Sequence, residues 1–232
     1  MDVEEKFVAI AALISGPTRA RMLWNLLDGR AYTATELAVA ADVSSTSASN
    51  HPSKLLEADI LKVEAQGRHR YYSFLRPEVA YAVEALANLA GRYGDIETER
   101  QEAALKGGVK FCRTCYDHLA GYVGVKITDA MVAQDLMQIN NSNYSITPKG
   151  WEWAAEIGIY QQDFRNKRRP LTRQCLDWSE RKSHLAGQFG AKVLSKMLEE
   201  KWFKRVQFSR ELIITPKGQQ QLHEQLGLDL FF

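Results

Sequence analysis

This sequence predicts an α+β chain, mainly helical with small β-hairpins. Three observations carry that expectation. Apolar residues recur at helical spacing through the first fifty residues, the spacing changes to alternation between residues 60 and 75, and two short motifs in the second half each occur twice. The 232 residues suffice for one large domain or two small ones, and 45% hydrophobic with 25% charged residues is ordinary for a globular chain. No apolar run approaches the roughly 20 residues that span a bilayer. The opening Met1-Asp2-Val3-Glu4-Glu5 is acidic where a secretory signal is basic. A cytoplasmic location without a membrane partner is expected. Three cysteines are too few, and odd in number, for a disulfide framework, so any role would be as thiols or metal ligands. A net charge of +2 is no global signature of nucleic-acid binding, so evidence for it must be local.

The elements follow in order. Phe7, Ile10, Ala11 and Ile14 mark a helix over Glu4–Ser15, and Gly16-Pro17-Thr18 ends it. Pro17 suits the first turn of the next helix, whose face is Met22, Leu23, Leu26 and Leu27. Thr35 would cap a short helix over Glu36–Ala41, and Ser44 or Ser45 a further one running toward Leu56 and Glu57. Beyond Asp59, Ile60–Ala65 alternates, Gln66-Gly67-Arg68-His69 turns, and Arg70–Leu75 alternates back. The last three of these helices followed by a two-stranded ribbon make the layout of a winged helix-turn-helix, in which the second helix of the pair enters the major groove and the ribbon tip reaches backbone or minor groove. The residues suit that task. Ser44, Ser45, Thr46, Ser47, Ser49, Asn50, His51 and Lys54 offer small or cationic hydrogen-bonding groups. Arg68, His69 and Arg70 concentrate charge at the ribbon tip. Either half alone is as well explained as a polar loop or a solvated turn; their order and spacing together favour DNA binding.

Pro17–Leu23, Thr35-Glu36-Leu37-Ala38, Val43–His51, Leu55–Leu61 and Gly67-Arg68-His69-Arg70-Tyr71-Tyr72 together resemble the ArsR family of bacterial repressors over roughly residues 5–90. The resemblance implies a homodimer, an operator palindrome as double-stranded DNA partner, and release by a small inducer. It would place Tyr81–Leu89, with Val83, Leu86 and Leu89, in a dimer helix, although ordinary core packing explains that stripe as well. Two departures stand out. The positions where such repressors often hold metals, Glu36–Ala41 and Glu78–Glu84, contain neither Cys nor His. Pro52 stands where an apolar residue is usual, and an interior proline is expected to kink or break the helix.

The second half contains an internal repeat. His118-Leu119-Ala120-Gly121 with Gly124 returns as His184-Leu185-Ala186-Gly187 with Gly190, and Ile146–Gly150 returns as Ile214–Gly218 with the same Ile-Thr-Pro-Lys-Gly sequence. Each copy reads as a helix, a second helix (Thr128–Gln134 or Ala191–Glu199), two strands and a helix from the Pro-Lys-Gly. The strands are Leu136–Ile139 with Asn143–Ile146, and Phe203–Phe208 with Glu211–Ile214. The expected architecture is an N-terminal winged helix-turn-helix followed by two degenerate winged-helix-like repeats. The domains are 1–94 for DNA binding and dimerisation, 95–108 as connector, and 109–232 as a sensory domain with repeats 109–160 and 174–228. This half also resembles the C-terminal extension of one group of ArsR-like regulators, which does not identify a ligand.

All three cysteines begin the repeats, in Cys112-Arg113-Thr114-Cys115-Tyr116-Asp117-His118 and Cys175-Leu176-Asp177-Trp178, so residues on both copies would converge near a pseudo-twofold axis. Three chemistries compete. Cys112, Cys115 and Cys175, with His118 or His184, would bind a thiophilic metal. Cys115 or Cys175 would act as a reactive thiol, opposed by Asp117 and Asp177. Tyr116, Trp178, Trp151 and Trp153 would line an organic-ligand pocket anchored by the Asp and His groups, and this reading is slightly favoured. Packing roles alone are a fourth possibility. No cofactor is expected as obligatory. The basic run Arg165–Arg169 with Arg173 would contact phosphate or an anionic ligand, or be a solvated linker.

Two other function classes compete with a DNA-binding regulator. An interaction module would favour apolar or aromatic anchors over the Ser/Thr/Asn face. A cysteine-dependent enzyme lacks a recognisable substrate framework, and the chain has no Gly-rich phosphate loop, Gly-x-Ser-x-Gly elbow or His-Glu-x-x-His motif, so no enzymatic activity is expected.

Overall fold

In the computed structural model, which describes residues 2–44, 50–90, 108–141, 143–164 and 169–230, the chain divides into two compact units, Met1–Leu86 and Ala87–Phe232. The first unit opens with α1 (Val3–Ile14), started by a reciprocal cap in which Asp2 accepts from the Glu5 amide and Glu5 from the Asp2 amide. Helix α2 (Pro17–Leu26) begins at the proline, and its apolar face becomes core, with Met22, Leu23 and Leu26 buried. Helix α3 (Ala34–Ala40) is capped two residues earlier than expected, by Thr33 rather than Thr35, because Glu36 can then return a bond to the Thr33 amide. Asp42, in the left-handed region at φ 55°, turns the chain toward α4 (Asn50–Glu57), which buries Leu55 against the same core.

Pro52 is the third residue of the described helix α4, is buried, and causes no break within Asn50–Glu57. Its expected loss of the bond to Ala48 concerns a residue outside those described. Strands β2 (Leu61–Gln66) and β3 (His69–Phe74) pair in the predicted antiparallel hairpin, and β1 (Tyr32–Thr33) adds to the β3 edge. Helix α5 (Pro77–Ala90) follows. The result is the winged helix-turn-helix of the expected α+β class.

The second unit contains the same order of elements twice. Strands β4 (Arg113–Cys115) and β5 (His118–Ala120) form a hairpin leading into α6 (Gly121–Ala133), then the hairpin β6 (Met137–Asn140) and β7 (Asn143–Ile146), then α7 (Pro148–Glu156). The second round is β8 (Arg173–Leu176), β9 (Ser183–Ala186), α8 (Gly187–Glu199), β10 (Phe203–Arg205), β11 (Leu212–Ile214) and α9 (Pro216–Leu226). The segments ahead of α6 and α8, expected as helices, are hairpins instead. Gly121 and Gly187 explain the switch. Both adopt positive φ, 78° and 89°, and a Cβ there would lie 2.7 Å from the Lys110 carbonyl and 2.8 Å from the Leu171 carbonyl. Each glycine therefore ends a strand and starts a helix.

The repeated Ile-Thr-Pro-Lys-Gly also has a structural reason. Thr147 and Thr215 cap α7 and α9 by accepting from the Gly150 and Gly218 amides, with the proline at the first helical position. The core repeats with the motifs. Leu119, Val123, Ile127 and Met131 in one round, and Leu185, Phe189, Val193 and Met197 in the other, belong to one buried cluster. The two rounds interlock, since β5 packs against α8 and β9 against α6. Among the described residues no helix is long and apolar enough to cross a membrane.

Candidate nucleic-acid interface and a buried cysteine–histidine cluster

The first unit leaves a polar surface where its fold would meet a duplex. Burying Leu55 in α4 turns Asn50 and Lys54 to solvent and leaves His51 half-buried, while Ser44 ahead of the helix is exposed. Burial, then the nearby Arg19 and Lys54 charges, push the His51 imidazole below its ordinary value, which suits an uncharged hydrogen-bonding ring. Ser45, Thr46, Ser47 and Ser49 lie outside the described residues. At the wing, the Gln66↔His69 pair closes the hairpin through Gly67, whose φ of 59° makes the turn, and Arg68, His69 and Arg70 are all exposed. The two cationic side chains and the histidine are thus exposed at the tip of a paired ribbon, where an anion can reach them.

The second unit gathers the repeated motif residues. Cys115 pairs across its hairpin with His118, and Cys175 across its own with His184, which puts each cysteine and histidine on one face of a ribbon. The interlocking of the two rounds brings those faces together. The sulfurs of Cys115 and Cys175 are 3.8 Å apart, the His118 and His184 ring centroids 5.1 Å apart, and one ligand-type atom from each of the four residues lies within 4.8 Å of the others. Cys115, His118 and His184 are buried and Cys175 is half-buried.

An aspartate stands beside Nδ1 of each ring. Nδ1 of His118 is 3.2 Å from Asp117, whose carboxylate also accepts two bonds from Arg169 at 2.6 and 3.0 Å. Nδ1 of His184 is 3.5 Å from Asp177, which accepts from Arg113 at 2.8 Å, from the Gly121 amide at 2.7 Å and from Ser179. Nε2 of both rings, and Nδ1 of His184 as well, are buried without a hydrogen-bond partner.

The electrostatics follow from these neighbours. The sulfur contact with Cys115, against the penalty of burial and with help from the His184 and His118 rings, holds the Cys175 thiol well below its ordinary value. Burial opposes charge on His118, yet Asp117 and the Cys175 sulfur raise it to about 9. Burial likewise opposes the Asp177 carboxylate, but Arg113 and His184 keep it well below the usual carboxylate range.

Other expected residues fall elsewhere. Cys112, expected beside Cys115 as a Cys-x-x-Cys ligand pair, is not in the cluster; it is buried in the apolar core, where burial pushes its thiol up. The strand geometry is the reason, since only Cys115 stands opposite a histidine. Tyr116 and Asp117 form the hairpin turn. The expected aromatic pocket does not assemble. Trp153 is core, Trp178 is stacked by the Arg113 guanidinium at 4.4 Å, and Trp151 lines an open groove of about 420 Å³ with Phe164, Arg169 and Gln188. A second groove, about 440 Å³, is lined by Thr128, Tyr144 and Lys182 among others. Of the basic run, Arg165 to Arg168 lie outside the described residues, and Arg169 anchors Asp117. Sequence reasoning assigns Arg113 no role, and Arg169, expected to meet phosphate, an anionic ligand or solvent, instead holds Asp117. Arg113 left a signal, because it and Arg173 stand at the same register opposite Ala120 and Ala186.

Comparison with known proteins places these features in context. A family model described as a helix-turn-helix domain matches residues 13–64. The HTH-type transcriptional regulator YdfF of Bacillus subtilis is 39% identical over 221 residues, covering 95% of this chain and 97% of its own length. Among solved structures, reduced HlyU from Vibrio cholerae aligns over 37% of this chain and 90% of its own, with 22% identity and a TM-score of 0.34. The homodimeric winged helix-turn-helix fragment Mb0332 from Mycobacterium bovis aligns over 40% and 85%, with 17% identity and a TM-score of 0.37.

Proposed function

Since this chain belongs to the helix-turn-helix transcriptional regulators, we propose that it acts as a homodimeric repressor that reads an operator palindrome and is released by an inducer acting on the second unit. The observation that carries the DNA-reading part is the pairing of an exposed polar helix face, Asn50 and Lys54 with Ser44 before it, with an exposed cationic wing tip, Arg68, His69 and Arg70. The helix supplies base-edge and phosphate contacts, and the wing supplies charge to the adjacent backbone. Dimerisation is favoured by α1, which buries none of its residues and leaves Phe7 69% and Val8 58% exposed, and by Leu86 of α5, 47% exposed. A second copy of the chain is the occupant that fits a twofold operator. The two rounds of the second unit are read as copies of one repeat, and the motif residues that meet between them as the inducer-responsive centre. A cytoplasmic, non-enzymatic protein fits this reading.

The test is binding of the purified protein to its own upstream DNA across a salt series. Selective, salt-sensitive binding is expected. Arg68→Ala with Arg70→Ala should weaken it on all sequences alike and reduce the slope of log K against log salt by roughly 1 to 2. An unchanged slope removes the wing from the interface, and no selective binding at any salt overturns the operator-reading role.

A further inference from the structure

We propose that Cys115, His118, Cys175 and His184 form a closed tetrahedral site for a zinc-class divalent cation, one site per chain, joining the two rounds of the second unit. The site is independent of the DNA-binding reading.

Four observations point the same way. First, the donor set is two sulfurs and two imidazoles, which selects zinc or another thiophilic tetrahedral ion over magnesium or calcium. Second, the spacing fits. A tetrahedral ion with metal–sulfur bonds of about 2.3 Å separates two sulfurs by about 3.8 Å, and the observed separation is 3.8 Å. Third, Nδ1 of His118 is hydrogen-bonded to Asp117 at 3.2 Å, Nδ1 of His184 lies 3.5 Å from Asp177 without a hydrogen bond, and Nε2 of both rings is buried without a hydrogen-bond partner. A carboxylate behind the far nitrogen of a histidine is the arrangement that fixes ligand tautomer and direction at metal sites. Both aspartates are themselves held, by Arg169 and by Arg113. Fourth, charge balances. Loading forms two metal–sulfur and two metal–nitrogen bonds and passes to solvent whatever protons the two sulfurs and the two ligating ring nitrogens still hold. A dication with two thiolates is then neutral, as a site with buried ligand atoms requires.

Four protein ligands leave no open position for a substrate, so the ion is structural or regulatory rather than catalytic. Each round contributes one cysteine and one histidine, from the β4–β5 hairpin and from the β8–β9 hairpin. Occupancy therefore fixes how the two hairpins meet, and loss of the ion frees them.

The experiment titrates the reduced, chelator-stripped full-length protein with Co²⁺ and then Zn²⁺. One Co²⁺ per chain should give the intense visible bands of a tetrahedral ion and a thiolate-to-cobalt charge-transfer band, both bleached by equimolar Zn²⁺. X-ray absorption of the zinc-loaded wild type should show two sulfur and two nitrogen neighbours, a readout that needs no variant to fold. Cys115→Ser and Cys175→Ser should each weaken zinc binding more than about 100-fold, beyond what loss of an orienting partner costs, while Cys112→Ser should leave it unchanged. A weak six-coordinate cobalt spectrum, half a metal per chain, or dependence on Cys112 would overturn the site. Operator binding measured on the same preparations separates the two readings. Intact operator binding with no metal uptake sinks the metal site alone, and metal uptake without operator binding sinks only the DNA reading.

Discussion

At the scale of single residues, the repeated motifs divide into those that shape the chain and those that carry chemistry. Gly187 shapes it. At φ 89° with the Leu171 carbonyl 2.8 Å from where a Cβ would stand, Gly187→Ala must strain the backbone and displace its neighbour. We expect a loss of about 1–3 kcal/mol or more in chemical denaturation; an unchanged midpoint would mean the strand-to-helix junction can relax. Cys115, His118, Cys175 and His184 were legible as a repeated pattern, because duplicated residues around an axis must meet if the copies pack face to face. The choice among the cysteines was not legible. Cys112 and Cys115 look equivalent in a Cys-x-x-Cys, and only the register of β4 against β5 gives one of them a histidine partner. The role of Arg113 was hidden for a related reason, since it reaches Asp177 across 64 residues of sequence.

At the scale of elements, long amphipathic segments were readable and short ones were not. The face of α2 and the β2–β3 ribbon follow directly from their periods of 3.6 and 2. His118-Leu119-Ala120 and Ser183–Ala186 are too short for any period to show, and the alanines and leucine speak equally for helix. Pro52, expected to kink or break its helix, is buried within Asn50–Glu57 without a break there. The most consequential element is α1, whose spacing predicts a buried stripe that this chain alone does not bury. Phe7→Glu should therefore leave the fold intact and shift the protein toward monomer in sedimentation, with loss of operator binding at the same protein concentration. A dimer of undiminished strength would show that α1 contributes nothing to association.

At the scale of the whole molecule, the cysteine–histidine cluster loaded with the proposed ion would be a cross-link. Cys115 and Cys175 are 60 residues apart in sequence. Closing a loop of that length costs the unfolded chain about 4 kcal/mol of entropy by the estimate used for disulfides. Chelating the ion from zinc-loaded protein should lower Tm by on the order of 10 °C. A calorimetric scan unchanged by chelator would show that the second unit owes the ion no stability. This long-range closure was invisible to sequence periodicity, which reports only on neighbours.

The interlocking of the two rounds has a further consequence during synthesis. Strand β5 finds its packing surface on α8, and α6 finds its own on β9. On the ribosome the first round therefore emerges with its partner surface still unmade, and at roughly 5–20 residues per second the wait from Cys115 to Cys175 is about 3–12 s. Through that interval Val123, Ile127 and Met131, all destined for the interior, stay without their final cover. Folded yield is therefore expected to respond to elongation rate and chaperone supply as well as to the stability of the finished protein.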